Sequence, residues 1–250
     1  MKVSVKIMIT GILLIVLANT TVSAQDRKFN FGIHFSPNIS WIKPDVDGGE
    51  LYKYESDGAR LLMGYGADFN YFFIPNIALG TGVNVVYNGG KLKYPSPYVV
   101  KDANNVAQDT VDCNLYRKYK LQYLEIPLVM IGSTGDLMGN FSIYGKFGLG
   151  TSFKLKARSD DEYVKKSAQD ISYKDENKNI GKDVNFIKES LIIGIGGTYK
   201  FKKVISLNFG INYNSGFTDI LTSENPAEIT PKIKENGKAS YVEMYVGVLF

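Results

Sequence analysis

Residues 205–214 read Ile205-Ser-Leu-Asn-Phe-Gly-Ile-Asn-Tyr-Asn214, so that large apolar residues alternate with small or polar ones throughout. A period of two predicts a β-strand with one apolar and one polar face. The same alternation recurs along the chain, in segments 29–41, 61–71, 77–88, 119–130, 141–155, 186–200 and 239–250. The sequence therefore predicts an all-β fold of eight strands.

The two faces of these strands differ in size as well as polarity. One face is rich in Gly, Ser and Asn with isolated charges, which suits a narrow polar lumen. The other is bulky and carries aromatic residues near strand ends: Phe29, Phe31, Trp41, Tyr71, Phe73, Tyr87, Phe141, Tyr199, Phe201 and Tyr213. These resemble the aromatic girdles of membrane barrels. We therefore expect an eight-stranded antiparallel up-and-down transmembrane β-barrel in a lipid bilayer; the alternative is a secreted soluble barrel, which hides its apolar face.

The fourth strand is less regular than the others. Tyr119, Leu121 and Tyr123 share one phase, whereas Leu124, Ile126, Leu128 and Met130 take the other. Because Glu125 should not face lipid, we place the second set outward and expect a β-bulge near Tyr123. The alternative is that the upper part of this strand lies above the hydrocarbon.

The connections between strands are short at one end and long at the other. Segments 73–76, 131–139 and 200–203 are short, and the long polar ones are 42–59, 89–117, 157–185 and 215–238. Outer-membrane barrels show this asymmetry, with short turns in the periplasm and long loops outside. We expect the long segments to be solvated loops that offer surfaces to protein partners, and both termini to be periplasmic.

The two ends of the chain carry export signals. Lys2 and Lys6 precede an apolar run at 7–17, and Val22-Ser-Ala24 fits a signal-peptidase site. We therefore predict a signal peptide over residues 1–24, cleaved after Ala24, and a barrel domain over 25–250. The last strand ends on Phe250, which resembles the signal that the barrel-insertion machinery recognises. Together they predict the bacterial outer membrane as the location.

Composition and motifs argue against several functions. The formal net charge of +4 falls to +2 once Lys2 and Lys6 are removed, and no basic run with interleaved aromatics supports nucleic-acid binding. The single histidine, His34, is expected deep in the barrel, so a Ser-His-Asp set near the loops is not predicted. We expect no enzyme activity, no cofactor and no metal site.

Isolated charges on the small face are the candidate site. They lie at a similar distance from the periplasmic end of their strands, at His34, Asp68, Glu125, Lys146 and Glu243. Because lone charges in a low-dielectric interior are costly, we expect a lumenal network in which Lys146 neutralises Glu125 or Asp68. An eight-stranded barrel holds little more than side chains, so a structural plug is favoured over a gated proton or ion path.

One family resemblance extends over the mature chain. Its motif is a "YLEIPL" strand, matched here by Tyr123, Leu124, Glu125, Ile126, Pro127 and Leu128. The glycine-punctuated strand at 144–150 and the segment 207–217 add to it, and Phe250 closes the chain. These features resemble the PorT-type outer-membrane β-barrel family, some of whose members serve type IX secretion and gliding.

The expected function is a non-enzymatic structural or assembly component that acts through loops or turns. The resemblance leaves a PorT-like role in type IX secretion or gliding as one alternative. A narrow channel for ions or small solutes is another.

Overall fold

The computed structural model describes residues 28–45, 54–101, 107–137, 139–167, 172–201, 205–222 and 236–250. Thirteen β-strands lie in these ranges: β1 Phe29–Pro44, β2 Glu55–Gly58, β3 Arg60–Ile74, β4 Ile77–Asn88, β5 Lys91–Pro95, β6 Tyr98–Lys101, β7 Ala107–Val111, β8 Cys113–Ser133, β9 Phe141–Lys165, β10 Ser172–Asn179, β11 Ile187–Lys200, β12 Ser206–Gly216 and β13 Gly237–Leu249. In the same ranges no helix is long and apolar enough to cross a membrane.

Eight of these strands form a closed antiparallel ring. Each strand pairs with the next along the series β1, β3, β4, β8, β9, β11, β12 and β13. The last strand pairs back to the first, with Ile33 opposite Val248 and Ile39 opposite Val242. A closed ring leaves no open sheet edge, as a membrane requires. The predicted eight-stranded up-and-down barrel is confirmed.

The ring places apolar side chains outside and polar ones inside. Leu61 is 78% exposed and Ile195 65%, whereas Ser40, Ser152 and Asn212 are fully buried. This is the reverse of a soluble barrel, and only a hydrocarbon surrounding makes such an outer surface favourable. The outward assignment of the bulky face is therefore confirmed.

A strand extension continues the barrel at its long-loop end. β8 has 21 residues and β9 has 25, whereas about 9–11 residues cross a bilayer. β5 pairs with β8, β2 pairs with β5, and β10 pairs with β9. These five strands, β2-β5-β8-β9-β10, form the extension sheet, and β6 and β7 form a separate hairpin.

The extension corrects the expectation of long solvated loops. Most of segment 89–117 and much of segment 157–185 are strands, as is part of segment 42–59. The charges in 157–185 misled the prediction because many pair across strands. Lys174 lies 3.3 Å from Glu162, and Lys178 lies 3.7 Å from Asp161. Cross-strand ion pairs support a sheet of this composition.

A bulge lies at the level of Tyr123, as expected, but on the neighbouring strand rather than on the fourth. β8 alternates without a break from Cys113 to Ile131, with Tyr123 and Glu125 both inward. The extra residue lies on β9, where Gln122 pairs with Lys156 and Tyr123 with Lys154, so that Leu155 has no partner. The alternative explanation is the better one: above Leu124 the strand leaves the hydrocarbon, so its inward residues become apolar and its outward ones polar.

Some predictions lie outside the described residues. These are the signal peptide at 1–24 and the parts of the long segments at 46–53, 102–106, 168–171 and 223–235. Phe250 is described: its backbone N–H donates to the Phe31 carbonyl at 2.7 Å, and its carbonyl accepts from Phe31 at 3.3 Å. Its role as an insertion signal stays a prediction.

Candidate functional site in the barrel lumen

The five predicted lumenal charges come from five strands and share one layer of the barrel interior. His34 is on β1, Asp68 on β3, Glu125 on β8, Lys146 on β9 and Glu243 on β13. His34 and Glu125 are 8% and 3% exposed. All five line one cavity in the lumen.

The first half of the layer centres on Asp68. Its Oδ2 lies 2.8 Å from Nδ1 of His34 and accepts a 2.6 Å hydrogen bond from the Tyr245 hydroxyl. The rings of His34 and Tyr245 pack at a centroid distance of 4.7 Å. Lys146 places its ammonium 4.7 Å from the centre of the Tyr245 ring, on which it makes a cation–π contact.

The second half centres on Glu125. Its Oε2 accepts hydrogen bonds from Ser152 at 3.2 Å, Asn214 at 3.2 Å and the Tyr241 hydroxyl at 3.1 Å. Three neutral donors therefore solvate this buried carboxylate in place of water. Glu243 accepts a 2.7 Å hydrogen bond from the Asn212 amide.

Lys146 joins the two halves electrostatically rather than by direct contact. Within the described residues no carboxylate lies within ion-pair distance of its ammonium. Glu243, Asp68 and Glu125 are the carboxylates that act on it, in that order of strength. The geometry thus places Lys146 among all three carboxylates, and the specific pairing with Glu125 or Asp68 stays a prediction.

Glycines make room for the long side chains of this layer. A Cβ on Gly194 would stand 2.2 Å from Oδ1 of Asn212 and 2.9 Å from Cε of Lys146. A Cβ on Gly196 would stand 2.5 Å from the Tyr144 hydroxyl. Glycines at these inward positions are therefore a condition for the charged layer, since any other residue would displace its members.

Sequence reasoning missed one member of the layer, Lys188 on β11. This lysine is 1% exposed, and its ammonium lies 5.1 Å from the Tyr241 ring centre and 5.8 Å from that of Tyr123. Glu125 is the strongest of the carboxylates acting on it. Its position was open to prediction, because Lys188 shares the inward phase of Ser190.

With Lys188 included, the layer holds three carboxylates against two lysines and His34. The two lysines therefore offset most of the carboxylate charge. This is the arrangement expected of charges held in a low-dielectric interior.

Beyond the layer, towards the long-loop end, the interior is apolar. A cluster of buried residues fills it: Ile42, Tyr54, Leu92, Tyr94, Leu115, Tyr119, Leu121, Tyr123, Ala157, Ile180, Val184, Ile220, Leu221 and Ala239. Lys154 donates to the carbonyls of Gly181 and Val184, which ties segment 180–185 to the barrel wall. The lumen is therefore packed on this side of the charged layer.

A buried ion pair continues this packing into the extension. Nε and Nη2 of Arg117 donate to the two carboxylate oxygens of Asp161 at 2.8 and 2.7 Å. Burial lowers the pKa of the guanidinium, but Tyr94, Tyr119 and Asp161 outweigh it and raise the pKa well above its usual range. Arg117 therefore stays charged and bidentate, the strongest geometry for such a pair.

On the other side of the layer, a cavity of about 660 Å³ opens at the short-turn end. Its mouth includes Pro75, Asp136 and Lys200, and its floor reaches His34 and Lys146. No member of the apolar cluster lines it. The cavity is therefore a vestibule that ends at the charged layer.

Comparison with known proteins agrees with this geometry. Residues 23–222 match the family described as outer membrane protein beta-barrel domain. The chain belongs to this family. Its place is therefore the bacterial outer membrane, where the short turns of such barrels face the periplasm. From this general orientation we expect the vestibule to open to the periplasm and the extension to stand outside the cell.

Solved structures of similar fold are distant in sequence. The outer membrane protein OprG from Pseudomonas aeruginosa is 13% identical, with 92% of this chain and 99% of that chain covered and a TM-score of 0.45. Neisserial surface protein A is 12% identical, with 89% and 96% covered and a TM-score of 0.37. Ail, the attachment invasion locus protein of Yersinia pestis, is 11% identical, with 90% and 100% covered and a TM-score of 0.34. No curated protein sequence is similar enough to be matched.

The described residues hold no group of three or more His, Cys, Asp or Glu side chains placed to bind a metal ion. The single histidine contacts Asp68 and Tyr245 inside the lumen. The contacts within the charged layer stabilise charges that are buried in the lumen.

Proposed function

We propose that this barrel is a non-enzymatic component of the outer membrane that acts at the cell surface through its extension and does not conduct. The observation that carries the proposal is the packed interior between the charged layer and the outside. A scaffold needs a rigid body and an exposed binding surface. The eight-stranded ring provides the first and the extension sheet the second.

The closed lumen argues against the channel alternative. An ion leaving the vestibule would meet the charged layer and then the rings of Tyr123 and Tyr241, which are each 1% exposed. Above them Tyr119 and Leu121 are equally buried. Passage would require several large side chains to move together, at a cost in packing that an eight-stranded barrel is too narrow to avoid.

The extension supports a role in binding other macromolecules. Its edge strands β2 and β10 carry hydrogen-bonding groups that no further strand covers in the described part of the sheet. Both are short and charged, with sequences ESDG and SYKDENKN. Short, charged edge strands of this kind disfavour nonspecific pairing with strands of other molecules, and they still allow a specific partner to bind.

Conductance separates the scaffold from the channel. Purified mature protein, reconstituted in planar bilayers, should give no steady openings across the usual voltage range. A general porin reconstituted by the same procedure is the positive control. Steady openings that increase with the amount of protein would support the channel and overturn the scaffold proposal.

We propose a role in type IX secretion or gliding as the second candidate, supported by the motif at 123–128. Its alternate residues Tyr123, Glu125 and Pro127 face the lumen, and Glu125 is central to the charged layer. The test is affinity purification of the full-length protein from native outer membranes under mild detergent. Recovery of that machinery supports the candidate, and its consistent absence beside recovered insertion machinery rejects it.

A further inference from the structure

Two of the strand pairs in the ring have a gap in their register at the level of the charged layer. One of them is β4–β8, in which Thr81 pairs with Leu128. The next pair in the described register joins Asn84 to Glu125, so two residues of each strand have no partner across this line. Both strands are nevertheless continuous here, so the gap is a loss of hydrogen bonding and not a bulge.

The cause of this gap is Pro127 of β8, which faces Gly82 of β4. A proline has no backbone N–H, so the Gly82 carbonyl gains no ladder hydrogen bond from it. On its other side Pro127 pairs with Gly150 of β9 without interruption. The missing donor therefore affects β4–β8 and leaves β8–β9 intact.

The second gap lies in β1–β13, the pair that closes the ring, and it has the same cause. Phe35 pairs with Val246, and the next described pair joins Asn38 to Glu243. Pro37 lies between them and keeps its pairing on the side of β3. In the described ring the other six strand pairs continue residue by residue through this level.

The two gaps weaken the wall of the barrel along two lines. Hydrocarbon offers no water to a free carbonyl, so an unpaired backbone group is costly at this depth. The lines divide the ring into a three-stranded part, β1-β3-β4, and a five-stranded part, β8-β9-β11-β12-β13. Because the other strand pairs are continuous, the wall separates along these lines at the least cost.

Side-chain hydrogen bonds cross both lines. Thr81 Oγ1 donates to the Pro127 carbonyl at 2.8 Å, which joins β4 to β8. The Tyr245 hydroxyl of β13 donates to Asp68 of β3 at 2.6 Å and so reaches past β1. Asp68 and Tyr245 are both in contact with His34 inside the charged layer. The layer therefore joins the two parts of the ring at the depth where their backbones are not joined.

We propose that the wall yields locally along these two lines and that the charged layer holds it closed. The movement is confined to the middle of the membrane, because the strand pairs above and below each gap keep the ring intact. Contacts inside the lumen, above all the hydrogen bond from Tyr245 to Asp68, control it. This conformational device gives Pro127 of the motif at 123–128 a role. It goes beyond the proposed scaffold, and it requires no conducting lumen.

The test is hydrogen–deuterium exchange, read by mass spectrometry, on the full mature protein in lipid vesicles. Peptides from both gaps should exchange at least about tenfold faster than peptides from the continuous pair β11–β12. Pro127→Ala restores an N–H and should slow exchange at β4–β8 by about tenfold without changing β1–β13. Pro37→Ala should do the reverse, so each variant is the control for the other. Tyr245→Phe should speed up exchange at β1–β13 and leave β11–β12 unchanged.

Three results would overturn the proposal. One is equal exchange at the two gaps and at β11–β12 in the wild-type protein. Another is a Pro127→Ala effect that is spread evenly over all strand pairs, because this would be a general stabilisation. Unchanged exchange in Tyr245→Phe would reject control by the charged layer. If that variant does not fold, Asp68→Asn takes its place, since it weakens the same hydrogen bond; if neither proline variant folds, the wild-type comparison decides.

Discussion

Replacing Lys146 by Met tests whether the charged layer holds the barrel together. Met keeps most of the side-chain volume, so the main loss is one positive charge among three carboxylates, which leaves Lys188 as the remaining lysine of the layer. The cation–π contact with Tyr245, at 4.7 Å, is lost as well. Removing one partner from a buried charge set costs about 3–5 kcal/mol. For a chain of this size each kcal/mol lowers the unfolding midpoint by about 2–4 °C, so we expect a fall of roughly 6–20 °C.

The assay is heat-modifiability on gels, followed as a temperature series for protein folded into the same lipid. Lys43→Met is the matched control, because Lys43 is an exposed lysine on β1; it should shift the midpoint very little. Adding Glu243→Gln to Lys146→Met should recover part of the loss, since it removes the most strongly coupled carboxylate. A midpoint for Lys146→Met within the error of wild type, or no recovery in the double variant, refutes the charge-balance argument.

Three further changes test other parts of the structure. Arg117→Met removes the bidentate partner of the buried Asp161, which keeps only the longer contact with Lys178 at 3.7 Å. The change should cost up to about 3–5 kcal/mol, seen as faster protease cleavage of the extension while the membrane ring stays resistant. Gly194→Ala should lower the folding yield in lipid, because its Cβ would stand 2.2 Å from Oδ1 of Asn212; a normal yield would show that the layer can rearrange. Deleting Leu155 removes only the unpaired bulge residue and should be tolerated, whereas deleting Gln122 turns the outer half of β8 inside out and should abolish folding of the extension.

The membrane-spanning part of the fold could be predicted from the sequence because hydrocarbon leaves little freedom. Every residue pointing at lipid must be apolar, so the alternation in a strand such as 205–214 is almost unbroken. Charged residues such as Asp68 and Lys146 cannot face lipid, so they must point into the lumen. Their place in the charged layer could therefore be predicted from the alternation of the strand and the distance from the strand end. Lys188 obeys the same rule but stands near the start of its strand, where the alternation is shortest and assigning a face is hardest.

The extension could not be predicted in the same way because its outer face lies in water, where polar and charged residues are tolerated. Its strands β9 and β10 carry charges that pair across the sheet, and such charges in a linear sequence look like those of a solvated loop. The position of the bulge was hidden for a related reason. β8 changes from polar-inward at Glu125 to apolar-inward at Tyr123 without changing phase, so the sequence pattern indicated an irregularity in β8, whereas the extra residue is on β9.

This exchange of polarity explains how one chain can be closed to ions and still expose a stable platform. Below Leu124 the outside is hydrocarbon and the inside must be polar; above it the outside is water and the inside can be an ordinary apolar core. The boundary between the two regimes is where Glu125 and Lys188 meet Tyr123 and Tyr241, so the charged layer is the surface on which two opposite cores join. A substitution in the charged layer should therefore destabilise both regions. It weakens the membrane ring, and it also weakens the extension that packs on the layer.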